Sequence, residues 1–523
     1  MNRTQRDLLG LFLLSLVVRL AVAALISRPG YMDAAYYAAG AVRLAQGGGL
    51  SEGFLWNYLD DPASLPHAGF LYWMPLPSLL ASLFALVFGG SFFALQLPFA
   101  LFSALLPPVA YGSAWAAFAR RRSAWVAGLL CLFSGFYFPY WTLPETFAPF
   151  ALFGSLALWL AASSTPGGGR WLLVGLLVGL AHLTRADGIV LLPVAALAAL
   201  LSSRSRHTPR ATPSSLCHSL ICHFSFLFLG YLLVIAPWFV RNLSVVGTPL
   251  SPAGTKTLWL RKYDDLFCYG CDLSLRSYLE WGWADILRSK VWAAGVNGAR
   301  FLAEDCLVFL FPFVLVGLFR LRRRSLFVLS GVYLVLIFLI HSLAFTFPGP
   351  RGGFFHASTP ALPFLFVAGV EGLDAVVEWA ARRRRWDLRQ AQTVFAAAAV
   401  LAAAALSMNT AVQKLPAWRD ADGVYLDIGA WLAQQGAGEA TVMVGNPPAF
   451  WYHTGHSAVV VPNGDESMLL AVADRYGADY VILDPNRPEP LAELQAGGEG
   501  AGLALVATFD GGQVRLYRRV EAP

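Results

Sequence analysis

The sequence predicts an all-α polytopic membrane bundle of about eleven transmembrane helices, with a small α/β domain at its carboxyl end. Three observations predict it. Of 523 residues, 57% are hydrophobic and 13% charged, with mean hydropathy +0.56, where a globular chain carries roughly a quarter charged residues. The apolar residues come in blocks of roughly 17–25, about what a helix needs to cross the ~30 Å hydrocarbon core. Arginines gather in short clusters between those blocks, as in cytoplasmic loops. A soluble enzyme, a fibrous protein and a disordered chain are all excluded. The net charge of +6 comes largely from the clusters, which speaks against a nucleic-acid surface.

In chain order the spans are read as Leu8–Ile26, Phe92–Phe118, Ala124–Tyr140, Phe147–Ala162, Trp171–Leu183, Ile189–Leu201, Leu220–Val240, Leu302–Phe319, Leu326–Phe347, Pro360–Trp379 and Ala391–Ala411. Leu8–Ile26 is long for a signal-peptide core and counts as a span. The clusters Arg120-Arg121-Arg122, Arg204–Arg210, Arg320–Arg324 and Arg382–Arg385 belong inside by the positive-inside rule. Met74–Gly90 decides the topology. Counted as a span, it sends every cluster outside; laid along the surface, it leaves them all inside. Pro75 and Pro77 at its start and Gly89-Gly90 at its end suit a short interfacial helix. The expected protein therefore sits in the cytoplasmic membrane with its amino terminus in the cytoplasm and its carboxyl end outside.

That orientation gives the outer face the first loop (27–91), the Trp141–Thr146 turn, Thr184–Gly188, the Arg241–Arg300 loop, Pro348–Thr359 and the tail. Residues 1–412 form the membrane domain and 413–523 a soluble extracytoplasmic domain. In the tail, Val424–Gln435 has the apolar spacing of an amphipathic helix, and Ser467–Tyr476 is a second helix. Thr441–Val444, Ala458–Val461, Tyr480–Leu483, Leu503–Phe509 and Gln513–Tyr517 are short β-rich runs, the last two joined by an Asp510-Gly511-Gly512 turn. Asp484-Pro485 and Asn446-Pro447-Pro448 read as turn chemistry. No internal repeat is visible. Low complexity is confined to the alanine run of the last span and Ser163–Gly169.

The cysteines carry little chemistry. Cys131, Cys217, Cys222 and Cys306 lie in or beside apolar segments, where a buried thiol is ordinary. Cys268 and Cys271 form a C-x-x-C that reads as a structural disulfide or free thiols ahead of a redox pair or half a zinc site. Cys217-His218 and Cys222-His223 have metal-like spacing, but they begin an apolar span on the cytoplasmic side, where a metal is not expected.

The first outer loop is the most informative region. Just past the first span comes Gly30-Tyr31-Met32-Asp33-Ala34-Ala35-Tyr36-Tyr37-Ala38-Ala39-Gly40, at the start of a helix. Asp33 could accept a proton from a substrate hydroxyl, bind a divalent cation, or cap that helix. The stretch Pro66-His67-Ala68-Gly69-Phe70-Leu71-Tyr72-Trp73-Met74-Pro75-Leu76 returns aromatics and an imidazole to the same surface.

An apolar first span, an acid followed by paired tyrosines, and a Tyr-Trp-x-Pro-Leu interfacial helix together resemble the C-type glycosyltransferase superfamily (GT-C). Within it, the sequence looks like the protein O-mannosyltransferase and aminoarabinose-transferase branch, and the resemblance covers the first 200 residues or so well and the remaining spans by layout. The resemblance implies transfer of a monosaccharide from a polyprenyl-phosphate carrier to an acceptor on the outer face, with inversion at the anomeric carbon. Asp33 matches that family's catalytic acid. Glu145 occupies the turn where the family carries a second acid, usually aspartate, so it is a mild departure; it also suits a helix amino terminus. Arg185, and Arg351 with His356, fall where related enzymes hold cations, although each could instead snorkel to lipid headgroups. An arginine fork delivers several donors to a phosphate and never loses its charge.

Tyr36, Tyr72 and His67 are further candidates for the substrate or lipid-phosphate site, His67 also as a metal ligand. Arg19, inside the first span, should face the protein interior. Trp259, Trp281, Trp283 and Trp292 read as membrane-surface anchors, or as grips on a sugar or prenyl chain. No strong ligand spacing demands a cofactor, and a divalent cation at Asp33 and Glu145 stays open. The expected partners are the lipid-linked donor, a protein, lipid or glycan acceptor, and membrane lipids, with no nucleic acid. With only four lysines, the arginine-rich composition favours a GC-rich bacterial genome and hence undecaprenyl phosphate. A transporter or flippase is the rival class, but its site would lie near the bilayer midplane. A non-catalytic scaffold is the third reading, which the retained Asp33 opposes.

Overall fold

The first helix, α1 (Arg3–Leu25), starts on a capping box in which Asn2 and Gln5 each satisfy the other's backbone N–H. The computed structural model describes residues 1–163, 167–205, 213–498, 500 and 502–520, with the side chains of 203–219 outside the description. The Arg204–Arg210 cluster and the Cys217-His218 pair therefore lie outside the described side chains, and Ser163–Gly169 is described only in part.

After α1 the 27–91 loop folds as α2 (Met32–Ala45), the two-residue strands β1 (Ser51–Glu52), β2 (Phe54–Leu55) and β3 (His67–Ala68), and α3 (Leu76–Phe88). Thirteen residues of α3 reach about 20 Å, short of a bilayer core. It begins at Pro75 and Pro77 and stops at Gly89. Helices α4 (Phe92–Ala104) and α5 (Leu106–Phe118) meet at Leu105, where Pro107 and Pro108 remove two backbone donors.

The expected span Ala124–Tyr140 is shorter than its apolar block. α6 (Arg121–Leu132) gives way to 3-10 turns at Gly135–Tyr137 and Tyr140–Thr142, because Gly135 takes φ +61° and Pro139 lacks a donor. α7 (Phe147–Ala162), α8 (Gly168–Thr184), α9 (Leu191–Ser205) and α10 (Pro213–Val246) follow. The 241–300 loop is helical in part, with α11 (Pro252–Lys256), α12 (Leu275–Glu280) and α13 (Trp283–Arg300). The expected span Leu302–Phe319 is broken: a π-helical turn at Phe301–Asp305 leads into Leu307 and Val308, both left-handed, before α14 (Phe311–Leu321).

α15 (Ser325–Leu339) passes through π-helical turns into α16 (Phe354–Ala357), then α17 (Leu362–Arg384) and α18 (Leu388–Ala421). Among the described residues, six helical stretches are long and apolar enough to cross a membrane, and five further apolar helices are 10–17 residues long. This is a multi-pass membrane protein, but the expected count of eleven spans is not confirmed. α14 and α17 pack backbone to backbone at glycines: a Cβ on Gly317 or Gly372 would sit 1.8 Å from a carbonyl oxygen of the other helix.

Two of the arginine clusters converge on acids. Arg120 and Arg320 pair with Glu371, Arg122 with Asp374 and Arg121 with Asp7. Asp7 lies near the start of α1 and Glu371 within α17, so α1 leads from this basic end toward the 27–91 loop, while α17 leads from α16 back to it. Arg19, buried in α1, donates to the Leu132 and Phe138 carbonyls and so turns inward, as expected.

Beyond α18 come α19 (Gly423–Gln434), β4 (Thr441–Val444), α20 (Pro447–Thr454), β5 (Ala458–Val460), α21 (Glu466–Tyr476), β6 (Ala478–Leu483), β7 (Leu503–Phe509) and β8 (Val514–Arg519). The six-stranded sheet has the order β2-β5-β4-β6-β8-β7. Its first four strands are parallel and the β6-β8-β7 pairings antiparallel. One edge strand is β2, from the 27–91 loop, paired Phe54 to Ala458 and Leu55 to Val459. Tail and loop thus share one sheet, sealed by buried Met443, Val459, Val481 and Leu483.

Candidate active site

The two carboxylates arrive from different helix starts. Tyr31 is the N-cap of α2 in extended backbone and makes no side-chain cap, so Asp33 lies within the first turn rather than capping it. Its carboxylate is about one-third exposed (34%). Glu145 precedes α7 in Phe138-Pro139-Tyr140-Trp141-Thr142-Leu143-Pro144-Glu145, where two prolines prevent a continuous helix, and it is 1% exposed. Tyr31 Oη donates to Glu145 Oε2 at 3.1 Å, and Thr146 Oγ1 to Oε1 at 3.3 Å.

His356, on α16, joins them. Its Nδ1 is 3.0 Å from Glu145 Oε1 and its Nε2 4.0 Å from Asp33 Oδ2, while its ring lies over Phe147 at 3.9 Å. Arg185, just past α8, gives Nε and Nη2 to Asp187 Oδ2 at 2.9 and 2.7 Å. Its Nη1 reaches Thr146 Oγ1 at 3.5 Å. Asp187 is in turn 3.3 Å from His341 Nε2. The arginine charge is therefore held in place beside both acids.

Burial, then the neighbouring Glu145 charge, lift Asp33 to about 6, with His356 and Arg185 pulling the other way. Burial lifts Glu145 to about 8, against Arg185 and the Tyr31 hydrogen bond. The pair is built to keep a proton, as two adjacent carboxyls do. A carboxyl raised above its unfolded value near 4.5 contributes stability that is complete below that value and lost as pH climbs through about 8. Glu145→Gln stays neutral at every pH, so its melting temperature should fall less than the wild type's between pH 5 and about 9. Thermal melts across that range check this; parallel curves refute it.

Asp33, Glu145 and His356 each offer one ligand atom, all within 4.8 Å of one another, a donor set that suits a divalent cation. The other sequence candidates divide. Tyr72 adjoins the site, in the field of Asp33, Arg185 and Asp187. Arg351 is exposed and lies over the Tyr263 ring at 5.0 Å, and Tyr263 is in the field of both Arg351 and Asp33. Tyr36 points away, donating to Glu52 among Phe54, Phe70 and Trp73. His67 lies there too, its Nε2 3.0 Å from the Phe54 carbonyl and 3.7 Å from Glu52.

Of the tryptophans of the 241–300 loop, Trp259 packs near Tyr278. Trp283 is 74% exposed, and Trp281 and Trp292 pack near Phe347. Cys268 and Cys271 are joined as a disulfide.

Sequence reasoning missed Tyr31, Tyr37, Thr146, Asp187 and Tyr263. Asp187 stands two residues from Arg185 and was open to discovery as its partner. Tyr37, in the field of Arg185, Glu145 and Asp33, stands one helical step around from Tyr36. Nothing in the sequence points to Tyr263.

Comparison with known proteins fits this layout. The profile of the family described as dolichyl-phosphate-mannose-protein mannosyltransferase matches residues 67–235, a stretch holding Glu145 and Arg185. No curated protein sequence matches the chain. ArnT from Cupriavidus metallidurans in its apo state superposes with a TM-score of 0.60 at 15% identity over 99% of both chains. The same protein bound to undecaprenyl phosphate gives 0.58 at 15% identity, again over 99% of both. The oligosaccharyltransferase AglB from Archaeoglobus fulgidus, in complex with an inhibitory peptide and a dolichol-phosphate, gives 0.52 at 12% identity. That match covers 92% of this chain and 70% of AglB. The shared architecture gives this chain the fold of ArnT over nearly its whole length, and the mannosyltransferase profile matches its 67–235 stretch.

Proposed function

We propose that the chain is an integral-membrane glycosyltransferase. It moves one monosaccharide from a polyprenyl-phosphate carrier to an acceptor hydroxyl on the outer face of the cytoplasmic membrane. The observation that carries this reading is the meeting of Asp33, Glu145, His356 and Arg185 at one end of an apolar bundle. The fold is that of a protein solved with undecaprenyl phosphate, which supports the same class of carrier here.

The step is a single displacement. The acceptor hydroxyl gives its proton to Asp33 as its oxygen bonds to the anomeric carbon. The bond from that carbon to the phosphate oxygen breaks, and the lipid phosphate leaves with the electron pair. One displacement inverts the anomeric centre. A phosphate is a weak base and needs no general acid, only positive charge where its own charge grows. Arg185 supplies that charge inside the site and Arg351 at its mouth. Glu145, protonated near neutral pH, keeps a second negative charge away from the donor and holds His356 beside Asp33. Tyr72, in the field of Asp33 and Arg185, is assigned to sugar binding. No cofactor is established; a divalent cation held by Asp33, Glu145 and His356 would supply Lewis-acid stabilisation of the phosphate.

Asp33 works only when ionised, and burial beside Glu145 raises it to about 6. Transfer rate should therefore rise with pH through about 6 and level off above it. A rate already maximal at pH 5 would remove Asp33 as the base.

The defining experiment uses purified protein in liposomes with a panel of radiolabelled undecaprenyl-phosphate monosaccharides and an acceptor fraction from bacterial envelopes. Label should pass to the acceptor. Donor movement across the bilayer without transfer would make the protein a flippase and overturn the reading.

A further inference from the structure

We propose that the carboxyl-terminal tail positions the carboxylate site, acting through Asp422 on the turn that starts α2. The inference rests on the reading of that site as catalytic. Asp422 lies between α18 and α19 and is 1% exposed. It occupies the N-cap position of α19, where an aspartate ordinarily accepts from its own helix, yet it makes no such bond. Its Oδ2 instead accepts from the Gly30 backbone N–H at 3.1 Å and lies 2.9 Å from His453 Nε2 on α20. One buried carboxylate thus ties the last membrane helix, the tail domain and the α1–α2 turn together.

Trp418, one turn earlier, makes the second contact. Gly30 sits at φ +73°, and a Cβ there would stand 2.1 Å from Trp418 Cβ, so only glycine lets α18 lie this close. The Trp418 ring packs on Tyr31 at 5.3 Å and on Tyr140 at 5.1 Å. Tyr31 holds the N-cap position of α2, two residues before Asp33, and donates to Glu145; Tyr140 belongs to the turn leading into Glu145. The supports of both carboxylates therefore meet on the tail. β2–β5 pairing and the contact of Trp451 with Phe54 at 6.1 Å hold the rest of the 27–91 loop from the same side.

Asp422 touches no reacting group in this scheme; it is a positioning residue. Freed from it, the Gly30–Tyr31 turn can drift, and misplacement by about 1 Å costs a reaction up to ~10²-fold.

The test compares full-length wild type with Asp422→Ala, Asp422→Asn and Asp420→Ala, a change at a neighbouring exposed acid. Amide hydrogen exchange is followed in a peptide covering residues 28–36, alongside steady-state transfer from an undecaprenyl-phosphate donor. Asp422→Ala should lose protection at Gly30 and its neighbours. Its kcat should drop ~10–100-fold, with donor KM within about twofold of wild type. Asp422→Asn keeps an oxygen for the Gly30 N–H and should retain protection and most of the rate; Asp420→Ala should match wild type in both. If Asp422→Ala is recovered poorly, Trp418→Phe, which trims the contact with Tyr31 and Tyr140, should loosen the same peptide.

Wild-type protection and rate in Asp422→Ala overturn the proposal, as does equal loss in Asp422→Asn. A wild-type protein that transfers no sugar instead overturns the catalytic reading, and the exchange measurement then decides the tail contact alone.

Discussion

Asp33→Asn should abolish transfer, lowering kcat by ~10²–10⁴-fold, while yield, melting temperature and undecaprenyl phosphate binding stay near wild type. The expectation rests on what Asp33 does not do. Its carboxylate makes no hydrogen bond to another described side chain or backbone group, and its nearest basic neighbour, the buried imidazole of His356, is 4.0 Å away. The fold does not lean on it. An amide of the same shape leaves α2, Tyr31 and Glu145 in place and removes only the basic oxygen and its charge. Asp33→Glu keeps the base but moves it by one methylene, so partial activity is expected there. Measuring rate, binding and stability on the same samples separates loss of chemistry from loss of structure. Full turnover by Asp33→Asn would end the base assignment.

The Asn variant also distinguishes the two acids. Glu145 is buried, hydrogen-bonded by Tyr31 and Thr146, and close to His356, so its replacement disturbs geometry as well as charge. The structure therefore separates residues that the sequence presents alike.

The spans and site residues were legible to different degrees for physical reasons. Asp33, Glu145 and Arg185 could be read because a charge at the end of an apolar block is scarce and needs an explanation. Their meeting with His356 could not, since 211 residues separate Glu145 from His356. Arg351 and His356 share one short segment, yet the first turns out to Tyr263 and the second in to Glu145. Tyr36 and Tyr37 differ by one step of about 100°, and only packing decides which faces the acids. The tail strands were legible from their β-branched runs. The sixth strand, β2, was not, because two residues carry no periodicity. The break after Asp305 lacked any glycine or proline to announce it, and Leu307 and Val308 take left-handed backbone without a local signal.

Arg185→Ala carries the second large effect: kcat should fall ~10²–10³-fold, the loss expected when a preorganised donor to developing negative charge is removed. Two cations compete for this role, and their surroundings decide between them. Arg351 is exposed, with Tyr263 as its ring partner, so its charge is shared with solvent and screened. Its removal should chiefly weaken donor capture, raising donor KM about tenfold with kcat little changed. Arg185 is 16% exposed and oriented by Asp187, which His341 approaches from the other side. Its charge needs no reorganisation as the phosphate leaves, so its benefit is concentrated in the transition state. Arg185→Lys keeps a charge but loses the planar fork that holds Asp187 and reaches Thr146 together, so rescue should be incomplete. Equal effects of Arg185→Ala and Arg351→Ala on KM alone would mean that both arginines serve binding, and that the stabilisation of the leaving phosphate lies elsewhere.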